Sequence, residues 1–412
     1  EPARHLGLDL RALAEDRPVP SVLAVEVQRR ALPAGQVNAM ARELWHAVAG
    51  IDPPPESKIP TPLTVLDAGA PERLRARVAE QFSARVAALL PMDGSVPGSN
   101  TAASRQTTDA AGPAAQADLF QELLADTAGK LNVLHDKPEE TADSTLRALW
   151  LVAADMPMSA EQAAEAALPA LDTAAVARLH ALLGERLAGT PLAHLTGRQR
   201  FMGMELMASQ AALVPRKETE LLGHVALAVL RQLASAQETL RVIDVCTGAG
   251  NLALALATHE PKARVYASDL STEAVELARR NGTLLGLGSR VEFRQGDFLN
   301  PFADGNFDRN VDLLVCNPPY ISSGKVATLP TEIIGHEPSL AFDGGPFGVK
   351  ILQRLLSEAP QYLRPGGWLA FEVGLGQGPA LMDRMRRNSA YADLAAVVDA
   401  AGAVRAVVAR LQ

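Results

Sequence analysis

An apolar, strand-like run at residues 311–316 ends in the tetrapeptide Asn317-Pro318-Pro319-Tyr320. Because neither proline has an amide hydrogen to give to a sheet, the chain must leave the sheet at the carboxyl end of this strand. Open α/β sheets bind their ligands at that edge. Asn317 offers a side-chain carbonyl there, Pro318 a backbone carbonyl that no ladder uses, and Tyr320 a flat ring. Together these groups can hold a planar NH₂ group.

A turn of small residues lies upstream, between a strand-like run at residues 240–245 and an apolar helical run at 252–257. Small side chains let the backbone approach a ligand closely and leave the first amide hydrogens of the following helix pointing outward. This composition predicts a nucleotide-binding loop. The loop residues are Cys246, Thr247, Gly248, Ala249 and Gly250.

Two further strand-like runs end in carboxylates. Asp269 follows the run 264–268, where it can accept hydrogen bonds from both ribose hydroxyls of a nucleoside. The run 291–295 ends in Gly296-Asp297-Phe298, which offers an acceptor for an adenine amino group and an apolar ring beside the base. Each feature alone fits an ordinary cap or turn. Their occurrence at four successive strand ends predicts a cofactor pocket that also includes Asn317.

The order Asp-x-Cys-Thr-Gly-x-Gly, Asp269, Gly-Asp-Phe and Asn-Pro-Pro-Tyr resembles the class I S-adenosylmethionine-dependent methyltransferases. The closest resemblance is to the branch that methylates the side-chain amide of glutamine in proteins. It covers roughly residues 140–412. Further matching segments are residues 191–197 with Phe201, 214–220, 336–338 with 344–345, and 372–374 with Gln377.

The resemblance implies an α/β fold with a doubly wound, Rossmann-like sheet preceded by helical domains. It implies S-adenosyl-L-methionine as the cofactor and no metal. It places the catalytic groups at Asn317, Pro318, Pro319 and Tyr320. A protein substrate is the implied partner, most often a peptide chain release factor.

Two positions depart from the usual pattern of the release-factor enzymes. Cys246 stands where those enzymes usually have glycine, and Lys217 stands where they usually have proline. The cysteine, together with residues 329–332, looks more like the sister enzymes that methylate a glutamine of a ribosomal protein. Residues 195–198 and 218–220 look more like the release-factor enzymes. The resemblance therefore leaves both protein substrates open.

Two other functions fit part of the pattern. An amino-methyltransferase acting on adenine or cytosine in DNA or RNA would grip a similar planar NH₂ group, but the formal net charge of −8 and the lack of a basic flank near residues 317–345 disfavour nucleic-acid binding. An inactive methyltransferase fold kept for binding is suggested by Cys246, Lys217 and the additional amino-terminal region. The presence of Asp269, Asp297 and Asn317 argues against that alternative.

The composition predicts a cytoplasmic enzyme with no membrane partner. The only two cysteines, Cys246 and Cys316, both fall at the predicted sheet edge, so neither a disulfide framework nor a metal cluster is expected. No apolar stretch approaches the roughly 20 residues that span a bilayer. The first residues also lack the charged-then-apolar pattern of a signal peptide.

Composition and periodicity predict five segments. They are a helical module at 1–93, a linker at 94–116 rich in small and polar residues, a helical substrate-recognition domain at 117–200, a hairpin connector at 201–215 and the methyltransferase domain at 216–412. The helices predicted before the sheet are 20–30, 35–48, 71–90, 117–131, 140–154, 159–167 and 173–187. Within the last domain we expect helices at 272–285, 349–363 and 378–387, a fifth strand at 367–373, and a closing hairpin of 395–398 and 404–411.

Overall fold

The computed structural model describes residues 113–134 and 136–412. The helical module predicted at 1–93 and most of the predicted linker lie outside the described residues. The described chain contains a small helical domain followed by an α/β domain.

Five helices form the helical domain around one apolar core that includes Trp150, Leu149 and Leu179. Polar residues set where two of these helices begin. The Thr141 hydroxyl accepts a hydrogen bond from the amide of Ser144, and the Asp172 carboxylate accepts one from the amide of Ala175. The helices are α1 Pro113–Lys130, α2 Ala142–Ala153, α3 Ala160–Glu165, α4 Thr173–Leu187 and α5 Leu192–Thr196.

The linker predicted to reach residue 116 ends earlier, because α1 already begins at Pro113. The buried side chain of Gln116 then hydrogen bonds to both the amide and the carbonyl of Leu171, at 3.0 and 2.7 Å. That partner lies 55 residues away, so the local composition could not reveal it.

The connector predicted at 201–215 is also wrong in its bounds. The hairpin consists of β1, Arg198–Phe201, and β2, Met204–Met207, paired antiparallel, so it begins inside the segment assigned to the helical domain. Gly203 has a φ of +81°, which suits the tight turn between the two strands. Residues 208–216 then run without regular structure to a short 3₁₀ turn, Lys217–Thr219.

Seven strands form the main sheet, in the order β5-β4-β3-β6-β7-β9-β8. Strands β3 to β7 are parallel, and β9 lies antiparallel between β7 and β8. The predicted doubly wound α/β class is thus confirmed. The strands are β3 Leu240–Val245, β4 Ala263–Asp269, β5 Val291–Gln295, β6 Val311–Cys316, β7 Leu363–Glu372, β8 Tyr391–Val398 and β9 Val404–Leu411.

Both faces of this sheet are buried, which explains why its central strands are continuous apolar runs. One face, with Val242 and Leu313, packs against helices α6 to α8, and the other, with Ile243 and Leu314, packs against α11 and α12. Two short helices, α9 and α10, lie in the segment after β6. The helices are α6 Glu220–Ala234, α7 Asn251–His259, α8 Thr272–Leu284, α9 Ser323–Val326, α10 Thr331–Ile334, α11 Lys350–Tyr362 and α12 Gly378–Arg386.

Two strands start four residues earlier than predicted. The fifth strand of the sheet begins at Leu363 instead of residue 367, because Leu363 already pairs with Val311 across a bulge. The closing hairpin begins at Tyr391 instead of residue 395. None of the helices in the described part of the chain has the length and apolar character required to cross a bilayer.

Candidate active site

The four predicted strand ends meet at one edge of the sheet, because β5, β4, β3 and β6 are consecutive neighbours. Three hydrogen bonds tie the loops at this edge together. The Thr247 amide donates to the Ser268 carbonyl at 3.0 Å, the Gly248 amide donates to Asp269 Oδ2 at 2.9 Å, and the Gly296 amide donates to the Asp269 carbonyl at 2.9 Å. The predicted cofactor loop and the predicted ribose-binding carboxylate are therefore in direct contact.

The loop after β3 depends on left-handed backbone conformations. Gly248 and Gly250 have φ values of +54° and +83°, and Cys246 has a φ of +61° despite its side chain. At Gly250 a Cβ atom would lie 3.0 Å from the Cβ of Ala278. A larger residue there would push α7 away from α8. The position of Cys246, which departs from the usual glycine, is thus one where glycine is conformationally favoured.

Asp244, in β3, stabilises this loop by accepting hydrogen bonds from it and from α7. The sequence analysis did not assign this role to Asp244. Its side chain is fully buried, and its Oδ2 accepts hydrogen bonds from the Thr247 hydroxyl at 2.6 Å and the Ala253 amide at 3.1 Å. Burial raises the pKa of Asp244 to about 7. Its Oδ1 is buried as well and has no hydrogen-bond partner among the described residues. The feature of the sequence that could have indicated this role is an aspartate near the end of an otherwise apolar strand.

Asp269 keeps acceptor capacity while it holds the loop. Its Oδ2 accepts the Gly248 amide, and its Oδ1 accepts the Ser271 amide at 3.0 Å. Burial raises the pKa of Asp269, although these backbone hydrogen bonds act in the opposite direction. Each carboxylate oxygen can accept a second hydrogen bond. The side chain is therefore suited to the two ribose hydroxyls that the sequence assigned to it.

Asp297 and Phe298 share a partner that the sequence did not indicate. Arg354 of α11 makes two hydrogen bonds to the Asp297 carboxylate, at 2.7 and 2.8 Å, and its guanidinium lies 4.8 Å from the centre of the Phe298 ring. Phe298 is buried and packs in the core on that face of the sheet. The assignment of both residues to an adenine site stays a prediction, with Arg354 added to its surroundings.

Asn317 directly follows β6, and one end of its side-chain amide is held by a hydrogen bond. Its Nδ2 donates to the Thr219 hydroxyl at 3.2 Å. The Thr219 hydroxyl oxygen is therefore the acceptor in this contact. This arrangement fixes Nδ2 toward Thr219 and leaves Asn317 Oδ1 available to another donor.

The Tyr320 hydroxyl points toward the buried carboxylate of Glu372, at the end of β7. The hydroxyl donates to Glu372 Oε1 at 2.9 Å. Burial and the neighbouring Glu372 raise the pKa of Tyr320 well above its usual value, so the phenol is neutral. The ring lies directly against Gly374, where a Cβ atom would be 2.9 Å from Tyr320 Cδ2.

Gln377 holds the exit of the tetrapeptide. Its Oε1 accepts the Gly374 amide at 2.9 Å, while its Nε2 donates to the carbonyls of Tyr320 and Gly348 at 3.0 and 3.1 Å. Gly348 has a φ of +68°, and a Cβ atom there would lie 2.2 Å from the Tyr320 carbonyl oxygen. Gly348 and the segment 372–377 thus act together to fix the end of the tetrapeptide loop at Tyr320.

Buried ion pairs connect the helical domain with the segment after the tetrapeptide. Glu332 of α10 lies 2.6 Å from Lys137 and 2.9 Å from Arg186, and Arg186 also contacts Glu140 at 2.8 Å. Although burial opposes the charge, Lys137 and Arg186 lower the pKa of Glu332.

A second buried carboxylate in the same segment, Glu337, accepts hydrogen bonds from the Arg216 guanidinium and the Val214 amide. We call residues 323–338 the post-loop segment. Its two buried carboxylates fasten it to the helical domain and to the connector before the sheet.

Lys217, the other departure from the usual pattern, also joins the two domains. Its ammonium lies 2.6 Å from Glu161 of α3 and 3.0 Å from Glu220 of α6. Burial opposes the charge, but hydrogen bonds to these two carboxylates raise the pKa of Lys217. The lysine thus has a local structural explanation.

The two cysteines are free. Cys316 is buried next to the Cys246 thiol, and burial raises its pKa well above the usual value. Among the described residues, no group of three or more His, Cys, Asp or Glu side chains is arranged to hold a metal ion.

Residues 224–385 match the family described as Methyltransferase small domain. A release factor glutamine methyltransferase of Moorella thermoacetica is 42% identical over 239 residues, which cover 58% of this chain and 81% of that protein. The proteins of the same name from Gloeobacter violaceus and Xylella fastidiosa are 38% and 41% identical, over 53% and 51% of this chain and 73% of each of them. Because these relatives are at least 38% identical and the matches cover 73% or more of each of them, the chain belongs to the family of release factor glutamine methyltransferases.

Proposed function

We propose that this methyltransferase transfers a methyl group from S-adenosyl-L-methionine to the side-chain amide nitrogen of a glutamine in a peptide chain release factor. The names of its relatives support the substrate. The observation that carries the chemistry is the orientation of Asn317, whose Nδ2 is bound by Thr219 and whose Oδ1 is left to accept a hydrogen bond. A release-factor substrate would place the activity in the cytoplasm.

The edge of the sheet fits the proposed cofactor in three ways. Asp269 has acceptor capacity for two ribose hydroxyls, and an ammonium donor would satisfy the Oδ1 of Asp244, which has no partner in the described part of the chain. The glycines at 248 and 250 allow the backbone to lie close to the cofactor. When bound, S-adenosyl-L-methionine supplies a methyl group on a positively charged sulfur, which is a strong electrophile.

An amide needs help to act as a nucleophile, because its nitrogen lone pair is delocalised into the carbonyl. Asn317 Oδ1 and the Pro318 carbonyl would accept the two N–H bonds of the substrate amide and turn its lone pair toward the methyl group. Pro319, with no amide hydrogen, follows Pro318 in a backbone path that cannot return to the sheet. Both carbonyl oxygens would also stabilise the positive charge that develops on nitrogen during transfer. The neutral Tyr320 ring would pack against the amide plane.

The proton that leaves the methylated nitrogen needs no dedicated base. A protonated amide is a strong acid, so its proton passes to water through the hydrogen-bonding oxygens around it. This chemistry therefore depends on orientation and on charge stabilisation by fixed acceptors.

Methyl transfer from radiolabelled S-adenosyl-L-methionine to purified release factor tests the proposal, with peptide mapping of the labelled residue. We expect label on one glutamine, and no label when that glutamine is replaced by glutamate. A matched assay with ribosomal proteins and with DNA and RNA separates the other acceptors. Labelling of a ribosomal protein or of a nucleic acid, with none on the release factor, would refute the proposed substrate.

A further inference from the structure

The two most exposed large apolar side chains in the described part of the chain are Phe347 and Leu375. Phe347 is 84% exposed and Leu375 is 70% exposed, whereas the other large apolar side chains reach 49% at most. A single exposed apolar residue is ordinary, but exposed apolar side chains that share one surface mark a place where a partner binds. The position of these two residues relative to each other and to the tetrapeptide loop, residues 317–320, therefore matters.

The side chain of Gln377 connects the backbone next to Phe347 with the backbone next to Leu375. Its Nε2 donates to the carbonyl of Gly348, the residue after Phe347, at 3.1 Å. Its Oε1 accepts the amide of Gly374, the residue before Leu375, at 2.9 Å. One amide group thus holds the two apolar residues at the same place on the surface.

This place is the end of the tetrapeptide loop. The Nε2 of Gln377 also donates to the carbonyl of Tyr320, the last residue of the loop, at 3.0 Å. Gly348 and Gly374 both lie so close to Tyr320 that a Cβ atom at either position would overlap it. Phe347 and Leu375 are therefore direct sequence neighbours of the two glycines that contact the loop.

The backbone that carries Phe347 is also fixed to the chain that leaves the loop. The Gly344 amide donates to the Ile321 carbonyl at 2.8 Å. The Ser323 amide donates to the Gly345 carbonyl at 3.0 Å. An apolar side chain on a backbone held in this way binds a partner with little loss of conformational entropy.

Strand β6 separates this surface from the residues assigned to the cofactor. Those residues follow β3, β4 and β5, whereas Leu375 follows β7, and β6 lies between β3 and β7 in the sheet. The position of the two apolar residues thus fits a ligand that reaches Asn317 from the side opposite the cofactor. In the proposed reaction that ligand is the methyl acceptor.

The acceptor protein must come close to this surface. The amide nitrogen of a glutamine is only four bonds, or about 5 Å, from its own Cα atom. When that amide is held by Asn317 and Pro318, the residues before and after the glutamine must lie against the surface around the tetrapeptide loop. Apolar side chains among them would bury Phe347 and Leu375.

We propose that Phe347 and Leu375 form an apolar docking site for the segment of the release factor that carries the acceptor glutamine. This proposal rests on the proposed function, since it takes the methylated protein as the occupant. The docking site contributes to the affinity for the acceptor and not to the chemical step, because that step uses the groups of the tetrapeptide loop.

Phe347→Ser and Leu375→Ser are the direct tests, and both replace exposed side chains that the fold does not need. Each should raise the KM for release factor about tenfold, and the double variant should raise it further. We expect kcat at saturating release factor and the Kd for S-adenosyl-L-methionine to stay within a few-fold of wild type, the pattern of lost acceptor binding. Phe347→Leu keeps an apolar side chain and should keep most of the affinity.

Leu284→Ser is a matched control, because Leu284 is 46% exposed and ends α8 at the opposite edge of the sheet. Its KM should equal that of wild type. An unchanged KM in both Phe347→Ser and Leu375→Ser would overturn the proposal, as would a fall in kcat alone. Sedimentation of a wild-type dimer that the double variant converts to a monomer, with KM unchanged, would assign the surface to a second copy of the chain instead.

A failure of the proposed function is seen separately, because the wild-type enzyme would then leave the release factor unlabelled. If the wild type labels another protein, the same comparison of KM values on that protein tests the docking site.

Discussion

Replacing Asp244 by asparagine should make the protein more stable at alkaline pH and less able to bind its cofactor. The carboxylate is fully buried, and burial raises its pKa from the usual 3.8 to about 7. A raised pKa means that the folded protein holds this proton more tightly than the unfolded chain. Below pH 3.8 the Asp244 carboxyl therefore has no effect on the free energy of unfolding. Between pH 3.8 and about 7 this free energy falls as the pH rises, and above about pH 7 the full destabilisation by the ionised carboxylate is present.

The size of the effect follows from these values. A rise of about three pH units corresponds to about 4 kcal/mol of destabilisation by the ionised form. Asparagine removes this cost, and its carbonyl can still accept from Thr247 and Ala253. Its NH₂ group, however, would occupy the place of the unpartnered Oδ1, and an unsatisfied buried donor costs about 1–3 kcal/mol. The net gain at pH 8.5 should be about 1–3 kcal/mol. At pH 5 the carboxylate costs the wild type only about 2 kcal/mol, so the stability of the variant should lie within about 1 kcal/mol of the wild-type value.

Urea unfolding of both proteins at pH 5 and pH 8.5 measures this difference, and calorimetry with S-adenosyl-L-methionine measures the Kd. Loss of the acceptor should raise the Kd at least tenfold, if Oδ1 receives the ammonium group of the cofactor. Asp312→Asn is a matched control, since Asp312 is buried in the neighbouring strand β6 but is paired with Arg364. That variant should be destabilised at pH 8.5. A destabilised Asp244→Asn protein at pH 8.5, or the same change in stability at both pH values, would refute the reasoning.

Four other predictions follow from the site and the domain boundary. Asp269→Ala should weaken cofactor binding at least tenfold, because each lost hydrogen bond to a carboxylate is worth about 1.5–3 kcal/mol, and calorimetry showing an unchanged Kd would remove Asp269 from the site. Asn317→Ala should lower kcat about 100-fold or more with cofactor affinity within a few-fold, and a near wild-type kcat would refute the two-acceptor mechanism. Cys246→Gly should raise the free energy of unfolding by about 1 kcal/mol, because the φ of +61° strains a residue with a Cβ atom, and a lower denaturation midpoint would contradict this. A chain that starts at residue 113 should bind the cofactor like the 412-residue chain, whereas one that starts at residue 117 should lose the Gln116 hydrogen bonds and melt at a lower temperature. Equal melting temperatures of the two shortened chains would show that those bonds contribute nothing.

The central strands could be predicted from the sequence because burial on both faces makes them uniform apolar runs with polar or small residues at their ends. Residues 240–245, 291–295 and 311–316 were assigned with the bounds that the structure has. The start of β7 was missed because Pro365, Gly366 and Gly367 favour a turn locally, while the pairing of Leu363 with Val311 extends the strand beyond them.

The convergence of the candidate site residues at one edge of the sheet could be predicted for the same reason. Residues that follow a strand end are visible in the chain order, and four neighbouring strand ends must meet at one edge. Hydrogen-bond partners that come from distant parts of the chain cannot be recognised from the chain order. Arg354 lies 57 residues from Asp297, and Thr219 lies 98 residues from Asn317. Only the packing of α11 and the 3₁₀ turn against the sheet brings these side chains to the site.

The buried carboxylates of the post-loop segment constrain how this enzyme could be recombined with its relatives. Glu332 takes its counter-charges from Lys137 and Arg186, which belong to the helical domain. A chimera that received another helical domain, for example to change the protein substrate, would leave Glu332 without compensation unless both cations were carried over. The loss of one partner of a buried ion pair costs about 3–5 kcal/mol, a large part of the stability of most domains. The helical domain and the α/β domain of this enzyme should therefore evolve, and be engineered, as a matched pair.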